Sequence, residues 1–146
     1  MYDRILVPTD GSDAAHTAAA EAIDIAVEVG ADIHVVYVID ESASNLLVST
    51  KTVNKAIEEM SSVGADAVAD IESMAADAGL AVETAVVRGM RVDEAIVDYV
   101  TGHDIDLVVM GTFGRRGVEH VVGSTTERVL ARSSVPVLSV SVDPKA

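Results

Sequence analysis

The sequence predicts an α/β domain: a doubly wound, five-stranded parallel sheet with helices on both faces, in strand order 3-2-1-4-5. Three observations predict it. Short β-branched runs alternate with helical patterns along the 146 residues, giving β-α-β-α-β-α-β-α-β, and parallel neighbours need helical crossovers of this kind. The strands are almost continuously apolar, as strands buried on both faces are. A glycine-rich segment, Gly111-Thr112-Phe113-Gly114-Arg115-Arg116-Gly117 and then Gly123-Ser124-Thr125-Thr126-Glu127, joins the fourth strand to the last helix. Glycines let backbone approach an anion, and the first amides of a helix are unpaired donors at its positive end.

Arg4 to Pro8 is the first strand; Pro8 ends it because proline cannot donate to a central ladder. A helix fits Ser12 to Gly30, with Ala15, Ala18, Ala19, Ala22, Ala26 and Val29 on one face and His16, Thr17, Glu21, Asp24 and Glu28 on another. Asp32 to Ile39 is the second strand, rich in β-branched residues. Residues 41–51 are polar and read as a loop. A long helix follows, in which Val53, Ile57, Met60, Gly64, Ala67, Ile71, Met74 and Ala78 recur at spacings of four and three, with Gly79 as its stop. Val82 to Val87 is the third strand. Val92, Ala95, Ile96, Tyr99 and Val100 mark a shorter helix, Leu107 to Met110 the fourth strand, residues 124–133 the last helix and Val137 to Val142 the fifth strand. Without repeats or a linker, residues 1–146 are read as one domain.

Ligands of open α/β sheets bind beyond the carboxyl ends of the strands, where the strand order reverses. With the first strand central, that point lies between strands 1 and 4. There the loop Pro8-Thr9-Asp10-Gly11-Ser12 meets the glycine segment. Asp10 can accept from ribose hydroxyls or an adenine amino group, or Asp10 or Ser12 caps the first helix. Ser124 to Glu127 reads as a capping box, with a hydroxyl at the N-cap and a glutamate three residues later. Arg115 and Arg116 are either partners of a polyphosphate or solvated loop residues. His16, His34, His103 and His120 have no metal-ligand spacing and are assigned to no site.

Other chemistries fail on residues. No glycine precedes a lysine, so there is no Walker loop. No G-x-G-x-x-G follows the first strand, and no Gly-x-Ser-x-Gly elbow is present. The chain has no cysteine, no run long enough to span a membrane and no secretory signal, so a cytoplasmic location is expected. Twenty-four acids against ten bases give a net charge of −14, with only Lys51, Lys55 and Lys145 as lysines. Such a surface repels nucleic acid and anionic membrane. On a chain of mean hydropathy +0.35 it suits a halophilic protein whose self-repulsion is screened by concentrated salt; the alternative is an ordinary acidic protein.

Taken together, the sequence resembles the universal stress protein family over essentially its whole length. The resemblance is carried by Ile5-Leu6-Val7-Pro8-Thr9-Asp10-Gly11-Ser12, by Val35-Val36-Tyr37-Val38-Ile39-Asp40, by Gly111-x-x-Gly114 with Gly123-Ser124, and by Val135-Pro136-Val137-Leu138. It implies a flavodoxin-like, adenine nucleotide alpha hydrolase-like domain that binds ATP or AMP, with magnesium as an accompanying ion, and that usually dimerises. By position, Pro8, Thr9 and Asp10 would line the adenosine side and Val38 would contact adenine. Met110 belongs to the same lining. Gly111 and Gly114 would let the backbone approach ribose and phosphates, and Arg115, Gly123, Ser124 and Thr125 would hold the phosphate chain.

The chain departs from the family's G-x2-G-x9-G-S/T pattern, because eight residues, Arg115 to Val122, separate Gly114 from Gly123. The shorter loop shifts the Gly123 and Ser124 amides relative to Gly114, and phosphate contacts depend on hydrogen-bond distance. Two functional readings therefore stand. One is a nucleotide-binding regulatory protein of the stress response; the alternative is a nucleotide-independent dimeric interaction module. Enzymatic activity ranks last, with slow ATP hydrolysis the most expected, since no side chain is an evident general base. The uncharged, proline-free strand Val137 to Val142 would be a sheet edge, which invites pairing with a second copy as a homodimer.

Overall fold

Each apolar run becomes a strand, because only pairing in a sheet satisfies the backbone of a segment buried on both faces. The computed structural model describes residues 1–42, 50–112 and 122–141. The strands are β1 (Arg4–Pro8), β2 (Asp32–Asp40), β3 (Val82–Gly89), β4 (Leu107–Gly111) and β5 (Val137–Val140). They form one sheet in the order β3-β2-β1-β4-β5, every neighbouring pair parallel. The expected order is therefore the observed one. The helices are α1 (Asp13–Val29), α2 (Thr50–Asp77), α3 (Val92–Gly102) and α4 (Ser124–Arg132).

Successive strand residues point to opposite faces, and the core divides accordingly. Ile5, Val7, Ile33, Val35, Leu107 and Val109 pack with α1 and α2; Leu6, Val36, Val108 and Met110 pack with α3 and α4. The alanine face of α1 is buried at Ala14, Ala15, Ala18, Ala19, Ala22 and Ala26. Side chains this small let α1 lie close to the sheet. Ser12 caps the helix by accepting the Ala15 N–H (3.1 Å), and Gly30 ends it in the left-handed region at φ 75°.

Several expected boundaries shift: β3 runs to Gly89 rather than Val87, and α2 begins at Thr50, inside the segment read as a loop. Ala78 is exposed rather than part of the apolar face of α2, because the helix ends at Asp77 and the chain turns through Gly79. Val68 and Ala75 are buried in addition to Ala67 and Ile71. β5 stops at Val140, short of the expected Val142, because its partner β4 ends opposite it at Gly111. Ser141 lies outside the strand and Val142 outside the described residues.

His34, near the start of β2, is buried on the α3 side with its Nδ1 3.0 Å from the Tyr99 hydroxyl and 3.6 Å from a Glu83 carboxylate oxygen. His103 stacks on Tyr99 at 3.7 Å. Burial pushes the His34 pKa below its usual 6.5, and the Glu83 carboxylate only partly opposes this. The unfolded chain therefore binds a proton more readily than the folded one. The His34 contribution to stability is complete above pH 6.5 and is lost as the pH falls through the lower folded value. Urea midpoints should fall between pH 7.5 and 5.5, and His34→Gln should flatten that dependence. An equal slope in both proteins would assign the effect to other groups.

Candidate functional site

The strand order reverses beside β1, so the carboxyl ends of β1 and β4 leave a crevice into which both following loops run. After β1, the chain turns twice on its own side chains. Thr9 Oγ1 accepts the Gly11 N–H (3.0 Å), and Asp10 Oδ1 accepts the Ser12 N–H (2.9 Å). Gly11 has φ 80°, a conformation glycine adopts without strain. The question of which residue caps α1 is thus answered by Ser12, while Asp10 shapes the turn before it.

Gly111 ends β4 where the first turn of α1 passes closest. A Cβ there would lie 3.0 Å from both the Cβ and the carbonyl oxygen of Ala14. Glycine is required at this point by the approach of a helix rather than by its own backbone angle. Beyond it, the Thr112 N–H donates to the Val140 carbonyl (3.1 Å), and the Gly123 N–H donates to the Thr112 carbonyl. That last bond ties the chain just after β4 to the start of α4.

The expected capping box does not form. Gly123, not Ser124, is the N-cap of α4, and no side chain caps the helix. Ser124 already has helical geometry, so its hydroxyl is one position too late to serve. Thr126 instead turns inward, is buried, and donates from Oγ1 to the Gly111 carbonyl (2.8 Å). The first-turn amides of α4 consequently receive no acceptor from an N-cap side chain. The Gly123 amide, in contrast, is engaged by Thr112. Donors for an anion therefore begin at Ser124.

These elements enclose a cavity of about 440 Å³, within the range usual for small-molecule sites. Its lining includes Pro8, Thr9, Asp10, Val38, Met110, Gly111, Gly123, Ser124 and Thr125, every candidate residue within the described part of the chain. Gly114 and Arg115, like Arg116, lie outside the described residues. Val36, Tyr37, Asp40, Val92, Ile96 and Thr126 complete much of the lining without having been singled out as site residues. Asp40 could have been found from the switch-point rule, since it ends β2 beside β1. Val92 and Ile96 could not, because their spacing reads as ordinary helix core.

The lining is divided chemically. Val36, Val38, Val92, Ile96 and Met110 offer apolar surface suited to a flat ring, while Thr9, Asp10 and Asp40 offer acceptors. The charged side chains of the described lining are the two carboxylates Asp10 and Asp40. Among the described residues no group of three or more acidic or imidazole side chains could hold a metal, and no helix is long and apolar enough to cross a membrane.

A parallel sheet of this order with a cavity at its switch point defines a doubly wound α/β protein with a small-molecule crevice. The chain belongs to the universal stress protein family, whose family model matches residues 1–141. It is 35% identical over 146 residues to Universal stress protein MJ0531 of Methanocaldococcus jannaschii, covering 99% of this chain and 85% of that one. The solved structure of protein MJ0577 of the same organism superposes with a TM-score of 0.87 at 26% identity, covering 98% of each chain. A universal stress protein solved in complex with cAMP superposes with a TM-score of 0.68 at 25% identity, covering 96% of this chain and 97% of that one.

Proposed function

We propose that this protein is an adenine-nucleotide-binding regulator of the stress response, with ATP or AMP in the crevice between β1 and β4. The observation that carries the reading is the convergence of the described candidate residues on one cavity. The cAMP complex of a similar protein supports it. The base would lie on the apolar lining, Asp10 would accept from ribose or the adenine amino group, and the α4 amides from Ser124 onward would receive phosphate. Since the described lining carries two carboxylates, a polyphosphate requires added positive charge, which magnesium, Arg115 or Arg116 would supply. Nucleotide binding would act by shifting the conformational population or the choice of partner.

The remaining parts of the reading follow from sequence and topology. Residues 1–146 act as one domain in the cytoplasm, and the acidic surface keeps the protein from nucleic acid and membranes. Halophilic working conditions fit the charge of −14. The edge strand β5 would pair with its two-fold mate in a homodimer.

Calorimetric titration of ATP and AMP, each with magnesium, in concentrated KCl tests the proposal. Saturable heat at about one site per chain is the expected result for a single crevice. No heat with either nucleotide would favour the nucleotide-independent dimeric module. The engagement of the Gly123 amide by Thr112 is the specific observation on that side.

A further inference from the structure

Helix α4 carries the phosphate-facing donors of the proposed site, yet little holds it down. It has nine residues, of which only Thr126 and Val129 are buried. A helix this short has no stability of its own and takes its position from tertiary contacts. At the cavity end those contacts are the hydrogen bond from Thr126 to Gly111 and the N-cap bond from Gly123 to Thr112. At the other end the contact is Arg132, in the last turn.

Arg132 Nη1 lies 3.2 Å from Asp93 Oδ2 and 3.5 Å from Glu94 Oε1. Both acids sit in the first turn of α3. Each charge lies at the helix end whose dipole favours it. Asp93 is 2% exposed, and among the described residues its Oδ2 finds no hydrogen-bond partner. A buried carboxylate in that condition is costly unless a cation stays beside it. Arg91 contributes at 3.6 Å from Oδ1 and is on the same helix end, whereas Arg132 reaches across from α4. Asp93 thus ties Arg132, and with it the last turn of α4, to the first turn of α3. Val92 and Ile96, which flank Asp93 on α3, line the cavity. One ionic clasp therefore sets the distance between the wall that would meet the base and the helix that would meet the phosphates.

We propose that Arg132 is a positioning residue for nucleotide binding, acting through the Asp93–Glu94 clasp without touching the nucleotide. The inference rests on the nucleotide reading of the cavity. Ser124 and Arg132 are about 12 Å apart along the helix axis, so contact with a phosphate on the Ser124 amide is excluded. Without the clasp, α4 keeps the Thr126 and Val129 contacts and the Gly123–Thr112 bond at its start but loses its ionic tie to α3, and its first-turn amides no longer keep a fixed distance from the base wall.

The test compares ATP and adenosine binding to the full chain in wild type, Arg132→Ala, Arg132→Lys and Arg128→Gln. Arg128 is exposed on the same helix and controls for lost charge. Arg132→Ala should weaken ATP by about 5- to 20-fold, in the lower part of the range usual for coupling between sites. Adenosine, which has no phosphate to meet α4, should bind as before. Arg132→Lys should fall between wild type and alanine, since one ammonium cannot reproduce the guanidinium fork across two carboxylates. Arg128→Gln should match wild type. In nucleotide-free Arg132→Ala, the amide NMR signals of Ser124, Thr125 and Thr126 should shift.

Equal loss of ATP and adenosine in Arg132→Ala would overturn the inference, reducing Arg132 to general stability. Wild-type ATP affinity in that variant would overturn it as well. If wild type itself bound neither ATP nor adenosine, the reading of the cavity would fail and the inference with it, an outcome distinct from the other two.

Discussion

Gly64→Ala is expected to destabilise the protein by about 1–3 kcal/mol, the usual cost of overpacking a core. In an exposed helix the same change would stabilise by about 1 kcal/mol, because alanine is the better helix former. Here Gly64 is buried on α2, and an added Cβ would lie 2.6 Å from Tyr37 Cδ1 and 3.0 Å from Cγ. Those atoms are the root of the ring, which cannot swing aside as a flexible chain end does. Tyr37 also lines the cavity, so its displacement would disturb the site wall. Urea unfolding checks the prediction, and a second background decides its cause. With Tyr37→Ala in place the overlap is gone, and Gly64→Ala should then stabilise. The same destabilisation in both backgrounds would show that the ring is not the obstacle.

The second large effect is expected at Asp10. Asp10→Ala and Asp10→Asn should each weaken ATP and AMP by about tenfold or more, the loss of a hydrogen bond to a charged acceptor being worth about 1.5–3 kcal/mol. The two variants separate recognition from folding. Asparagine keeps an oxygen for the Ser12 N–H, which Asp10 Oδ1 now accepts, whereas alanine does not. Stability should therefore fall by about 0.5–1.5 kcal/mol in Asp10→Ala and remain near wild type in Asp10→Asn. Calorimetry for binding and urea midpoints for stability give both numbers. Wild-type affinity in Asp10→Asn would leave Asp10 as a turn-forming residue only.

The strands were legible in the sequence because burial on both faces leaves an unbroken β-branched run, as in Ile33 to Ile39. Strand order rested on taking the first strand as central, which the sheet bears out, and the order in turn located the crevice. Gly30 and Gly79 were legible as helix stops because both need positive φ, a demand visible in the residue itself. The cap of α4 was misread for a different reason. Gly123 and Ser124 are both acceptable N-cap residues, and which one serves depends on where Thr112 and Gly111 hold the chain. That choice is made by contacts some ten residues away, which no local pattern records.

Asp93 is the sharper case. In the sequence it is one acid among twenty-four, on a helix start that favours acids anyway. In the structure it is buried between α3 and α4 with Arg132 against it. Gly111 is similar: its place in a glycine-rich loop suggested approach to an anion, whereas the structure also packs the backbone of Ala14 against it. Local pattern determined the elements, their order along the chain, the sheet they build and the end of that sheet at which a ligand would enter. Which acid is buried, which amide is already engaged and which helix end is clasped were decided only by tertiary packing, because burial and pairing belong to the distance between elements and not to the residues of any one of them.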